Sequence, residues 1–262
     1  MPVRVRPLAV SALASLVISP LAACDSAADD TGDTTVGDTR ADTADTAAPI
    51  AFSSYSVGPS TAAFIDACDG GTTLSLDNND ENLTPAGAVT VPFDVVLYDR
   101  SFTGARVSTN GWLSFSDYLT DSAPRHESGV QPLPSDGAPN AAIYALWEDL
   151  EVKDADSGLC VKTVGTAPAR TFVVEWHNVS FAVATPPTGD LTFEIQLQES
   201  DHAIDLVYRS LDAGADLASR FSHVTVGVEN EHDLTSSHPG DKATSVSQAP
   251  STSAGFRFTP VE

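Results

Sequence analysis

Leu191-Thr192-Phe193-Glu194-Ile195-Gln196-Leu197-Gln198-Glu199 alternates apolar and polar residues without a break. A β-strand sends successive side chains to opposite faces, so period two is the signature of a strand with one face on a core. Leu191, Phe193, Ile195 and Leu197 are expected inside, and Thr192, Glu194, Gln196 and Gln198 outside. Ser200-Asp201-His202 reads as a turn, and Ala203 to Tyr208 returns with Ile204, Leu206 and Tyr208 on one face.

Working outward, the same pattern recurs. Thr171 to Val179 is a strong strand, and Leu159 to Val164, Ala141 to Trp147 and Val89 to Tyr98 are others. Pro92 near the start of Val89–Tyr98 predicts an edge position or a strand beginning, because proline cannot donate to a ladder. Thr72 to Leu76, Val224 to Val228 and Gly255 to Phe258 are shorter strands, while residues 210–219 read as one helical turn or a loop. In Ala105 to Phe115, two β-type runs flank Asn110-Gly111. Asn-Gly tolerates the positive φ values of a type I′ turn, so a two-residue hairpin is expected there. Leu113 and Phe115 then lie on the opposite face from Trp112 and Ser114, and both faces of that strand are expected to be partly covered.

Local hairpins, about ten strands and no βαβ rhythm argue for an all-β fold. The predicted architecture is an antiparallel two-sheet sandwich, jelly-roll-like, with a closed barrel as the alternative. It occupies residues 51–262, after residues 24–50, an Asp/Thr/Ala-rich tether with one Val and no aromatic. Such a segment cannot bury enough apolar surface to offset chain entropy, so it is expected to be disordered and extended.

The chain has 262 residues and a net charge of -23. Residues 1–23 carry +2, residues 24–49 carry -6 and the remainder -19. This field repels nucleic acid and anionic headgroups, so no nucleic-acid partner is expected.

Arg4 and Arg6 precede an apolar run from Leu8 that ends in Leu21-Ala22-Ala23-Cys24. The run is too short and broken for a bilayer span and has the proportions of an export signal. Its end resembles the bacterial lipoprotein signal, the lipobox. The resemblance implies a signal peptide over residues 1–23, removal of it before Cys24, and acylation of Cys24 by chains such as palmitate. Two or three acyl chains make a stable anchor in a bilayer, whereas one is marginal. The implied location is the bacterial cell envelope, at the outer membrane; Asp25 is the feature that would instead retain the chain at the inner membrane. The alternative is an ordinary secretory signal with Cys24 incidental.

Cys68 and Cys160 remain. In an oxidising compartment they are a candidate disulfide; otherwise they are two separate buried thiols.

An ordered set of segments resembles the extracellular domain of nidogen-type adhesion proteins. It runs through Val91-Pro92-Phe93, Val107 to Phe115, Pro139 to Ile143, Leu146 to Leu150, Phe172 to Val179, Leu191 to Leu197, Ile204 to Tyr208 and Thr225 to Asn230. The resemblance covers roughly residues 90–230. It implies an extracellular module with an adhesion or structural role, partnered by an envelope or matrix protein or a glycan, and with no catalytic residues to carry over.

No Gly-x-Ser-x-Gly elbow, His-Glu-x-x-His or phosphate loop is present, and the six histidines are scattered. No cofactor is expected beyond a calcium ion. Calcium takes roughly six to eight oxygens, and Glu148, Asp149, Glu151, Asp154 and Asp156 are its candidate ligands, with Asp77, Asp80 and Glu81 a second cluster. The plain alternative for both is a solvated acidic surface. Exposed aromatics would make a carbohydrate-binding module, with Trp112 the candidate beside its turn. Paired carboxylates would make a hydrolase acting on extracellular polymer. The expected function is thus a lipid-anchored, non-catalytic binding or structural module, with those two as alternatives.

Overall fold

In the computed structural model, Leu191, Phe193, Ile195 and Leu197 lie at most 2% exposed in the central core. The model describes residues 50–76, 83–85, 88–116, 132–134, 139–182, 189–214, 218–231, 242–252 and 254–262. The expected signal peptide, Cys24, the expected tether up to residue 49, and Asp77, Asp80 and Glu81 lie outside the described residues.

Two antiparallel sheets form a β-sandwich. The eight-stranded sheet runs β1 (Ser54–Pro59), β14 (Phe256–Val261), β11 (Ile204–Asp212), β10 (Asp190–Gln198), β9 (Thr171–Phe181), β8 (Gly158–Val164) and β2 (Thr72–Thr73), with β7 (Leu150–Glu151) also on β9. The six-stranded sheet runs β13 (Ala243–Ser245), β12 (Thr225–Glu229), β6 (Ala142–Trp147), β5 (Trp112–Ser114), β4 (Arg100–Ser108) and β3 (Val89–Leu97). β8 to β11 neighbour one another in chain order, as do β3 to β6, which is what sequential hairpins produce. Pro92 lies in β3, at an edge of its sheet, where its missing N–H breaks no ladder.

Fourteen strands replace the expected ten or so among the described residues. The additions are β1, β7 and β13. Ser-Tyr-Ser-Val-Gly-Pro has weak strand propensity, and the other two are too short to show a period. They form because a neighbouring strand offers a ladder. β11 also continues through Asp212, and the helical turn falls later, as a 3-10 helix over Ala218–Ser222.

Aromatic side chains join the layers. Trp176 stacks on Phe193 at 5.1 Å, and Tyr208 meets Phe193 at 6.3 Å and Phe256 at 6.1 Å. The Tyr208 hydroxyl crosses to the other sheet and donates to the Ala145 carbonyl at 2.7 Å; the Trp176 indole donates to the Ser108 carbonyl at 2.9 Å. Burial holds the Tyr208 phenol far above its ordinary titration range.

The Asn110-Gly111 turn differs from the expected type. Ser108 pairs with Trp112, leaving the three-residue loop Thr109-Asn110-Gly111. Gly111 takes the positive φ, 77°, and Asn110 does not. That is the pattern of a three-residue hairpin with glycine in the left-handed position, not a type I′ turn. The reason is packing: the Gly111 carbonyl accepts from Ala145 and Leu146, and Asn110 Oδ1 accepts from the Leu150 N–H at 2.9 Å. The loop is therefore buried against β6 and β7, and its geometry answers to them.

Candidate functional site

The outer face of the eight-stranded sheet does not meet water where the alternation predicted. Glu194 and Glu175 are fully buried, as is Asp205, and Gln196 is 2% exposed. A segment without regular structure, residues 60–71, lies over them. Its backbone polar groups have no ladder of their own, and the sheet's side chains satisfy them. Ile65 N–H donates to Glu194 at 3.1 Å; Ala67 N–H and Cys68 N–H donate to Glu175 Oε2 at 2.6 and 3.2 Å. Ser60 donates to Asp205 at 2.7 Å, and Gln196 Nε2 donates to the Ala63 carbonyl at 2.8 Å. Buried backbone N–H groups left unpaired would each cost about 1–3 kcal/mol, so these polar residues are required by the strap above them.

The electrostatics follow. Glu194 and Glu175 are register partners on β10 and β9. Burial, with Glu175 and Asp66 nearby, pushes the Glu194 carboxyl up to about 8, against the pull of the Gln196 and Ile65 hydrogen bonds. Glu194 is therefore a neutral acid at pH 7. Asp205 is paired with Arg257, which also reaches Asp201 at 2.6 Å. Glu175 Oε1 lies 2.8 Å from His177 Nδ1, and His177 is about one-third exposed.

The strap is closed covalently. Cys68, on the strap, is bonded to Cys160 on β8, with Cα atoms 5.2 Å apart and a sequence separation of 92. The disulfide expected from the sequence is formed.

At the side of the sandwich, β1 and β13 end their respective sheets. Between them opens a recess of about 400 Å³, lined by Val57, Pro59, Ser245, Val246, Gln248 and Phe256 among others. Among the described residues no charged side chain lines it, on a chain of net charge -23. Val57 is 40% exposed, and among the described residues β1 has a ladder partner only on its β14 side. An edge strand with a free side is a template for a further extended segment. Sequence reasoning missed this surface because it missed β1 and β13.

A family model described as NIDO related matches residues 54–260. The chain belongs to the NIDO-related family. No curated protein and no solved structure matches it. The NIDO-related match begins at the first residue of β1 and ends within β14, so it takes in both sheets, the strap, the disulfide and the recess.

Within the NIDO-related domain, the five carboxylates expected to hold calcium do not converge. Glu148 is fully buried and accepts from Arg220 of the 3-10 helix, whose guanidinium lies 5.5 Å from the Phe181 ring. Asp154 sits on an exposed turn and accepts from the Ser157 hydroxyl at 2.7 Å and the Asp156 N–H at 3.0 Å. The Ser157 hydrogen bond foremost holds its carboxyl below the usual range. Asp149 and Glu151 flank Leu150 as β7 joins β9, and Asp156 lies in the exposed turn. Among the described residues, these five do not bring three ligand oxygens within 4.8 Å of one another. An arginine already holds the most buried of them.

Trp112 is also corrected. It is fully buried, in a small second cluster on the outer face of the six-stranded sheet with Leu83, Ala142, Tyr144 and Trp147. Tyr144 stacks on Trp147 at 4.9 Å. These aromatics fill a core of their own and present no platform to a glycan. The covering of both faces of β5 is as expected.

Proposed function

We propose that this chain is a bacterial envelope lipoprotein, anchored by an acylated Cys24 and most simply placed at the outer membrane. It presents its NIDO-related sandwich, on an acidic tether, as a non-catalytic binding or structural module. The observation that carries the binding role is the recess between β1 and β13, uncharged and flanked by two strands that end their sheets. The buried carboxylates support the same reading. Glu194 and Glu175 accept from the backbone of residues 60–71, Asp205 pairs with Arg257, and one oxygen of Glu148 pairs with Arg220, which gives each of them structural work. The partner class is an envelope or matrix protein taken up as an extended segment.

The test is a binding assay of the full-length chain in detergent, its disulfide verified by mass, against envelope and matrix fractions of the source organism. Saturable binding, equal in calcium and in chelator and weakened by Val57→Asp, is the expected result. No binding in either arm would contradict the binding role. Binding abolished by chelator would contradict the present reading of the acidic residues.

A further inference from the structure

Cys68, Glu175 and His177 are the one group among the described residues whose ligand atoms, one from each side chain, all lie within 4.8 Å of one another. Cys160 is not one of the three but adjoins them, since it is bonded to Cys68 and is the register partner of Glu175. Glu175 and His177 are two residues apart on β9 and so share a face. His177 stands opposite Gly158, where an added Cβ would meet the Thr73 side chain at 3.9 Å. Zinc favours four ligands drawn from thiolate, imidazole and carboxylate in tetrahedral array, and this set supplies two sulfurs, one nitrogen source and one carboxylate. The Glu175–His177 contact at 2.8 Å is also the kind that orients a metal-binding imidazole.

We propose that reduction of the Cys68–Cys160 disulfide converts this corner into a zinc site, with Cys68, Cys160 and His177 as ligands and Glu175 as the fourth ligand or the residue that orients His177. A dithiol reductant delivers two electrons and two protons. The protein S–S bond breaks to two thiols, and the reductant leaves as its own disulfide. Zinc then displaces both thiol protons, which pass to buffer. Three of the four residues are held without the disulfide, because β8 and β9 are paired from Gly158 to Val164 and carry Cys160, Glu175 and His177. In the reduced chain the metal takes over from the disulfide in tying Cys68 and its strap to them. The oxidised chain has no thiolate to offer at this corner, so the disulfide and the metal exclude each other there.

The experiment titrates the full-length chain with cobalt(II) and zinc(II), oxidised and after treatment with a metal-free phosphine or dithiol reductant that is then removed. The expected result is one metal per reduced chain, with the visible absorption of tetrahedral cobalt thiolate, displaced by zinc with proton release, and no such binding by the oxidised chain. His177→Ala, at a partly exposed position, is expected to keep the far-ultraviolet β signal and lose affinity about tenfold or more. Cys68→Ser with Cys160→Ser is expected to lose the cobalt spectrum. Equal metal uptake by oxidised and reduced chains would overturn the proposal, as would undiminished binding by His177→Ala. A reduced chain that unfolds and is not refolded by zinc would also overturn it.

Discussion

Glu194 and Glu175 face each other across β10 and β9, both fully buried, and each accepts hydrogen bonds from the segment that covers them. Two carboxyl groups at such a distance from water favour one of them holding a proton, and Glu194 does so up to about pH 8.

A pH dependence of stability follows. The Glu194 carboxyl is raised from 4.5 to about 8 on folding. Between those values the folded chain holds a proton that the unfolded chain has released, so stability falls as pH rises through this window. The contribution of this group is present below the unfolded value and is lost by about pH 8; its size is on the order of a few kcal/mol. Glu194→Gln keeps an amide oxygen for the Ile65 N–H and removes the titration. Urea midpoints taken from about pH 5 to about pH 9 should slope downward in the parent chain and flatten in the variant. Equal slopes would place the dependence elsewhere.

Gly111 is predicted to tolerate no side chain. Its φ is 77°, and a Cβ there would come 2.1 Å from the Leu146 carbonyl oxygen. Gly111→Ala should destabilise by more than about 2 kcal/mol, read as a lowered denaturation midpoint. Gly104→Ala serves as the comparison, since its nearest neighbour would lie at 3.8 Å. Similar effects from both would contradict the packing described for the hairpin.

Loss of the disulfide is predicted to loosen residues 60–71 first. Closing a loop of 92 residues restricts the unfolded chain by about 4 kcal/mol in the chain-entropy account. Cys160→Ser should lower stability by an amount of that order. It should also raise hydrogen exchange at Ala67 and Cys68, whose N–H groups are held by Glu175, before exchange rises in β10. Uniform exchange would mean that the strap does not open separately.

The recess makes an opposite prediction. Val57 is 40% exposed on an edge strand, so Val57→Asp should change stability by less than about 0.5 kcal/mol. The same change places a charge in an uncharged recess and should weaken binding to envelope fractions. Full binding by a well-folded Val57→Asp chain would move the binding surface elsewhere.

Much of the fold was legible because it is local. The alternation from Leu191 to Leu197 and the returns at Ile204 to Tyr208 mark β10 and β11 directly, and the order of segments pointed to the NIDO-like domain. The site was less legible because its burial is non-local. Glu194 and Gln196 read as solvent-facing, and nothing near them in the chain announces that residues 60–71, more than 120 positions earlier, will cover them. Trp112 stood open between core and exposed platform for the same reason, since Tyr144 and Trp147 come from another strand. The Glu148 cluster looked like a cation site because charge density shows in sequence, whereas its Arg220 partner, 72 residues on, does not. Cys68 and Cys160 were readable as a pair because only two cysteines remained once Cys24 was assigned to lipid.

The central claim, an envelope lipoprotein carrying a NIDO-related module, is tested most directly by the mass of the mature N-terminal peptide. The full-length chain would be made in a lipoprotein-processing bacterium and recovered from its membranes. The account predicts a peptide that begins at Cys24 and carries the added mass of a diacylglycerol and its acyl chains, absent from Cys24→Ala. A mature peptide that begins elsewhere, or begins at Cys24 without lipid, would contradict it.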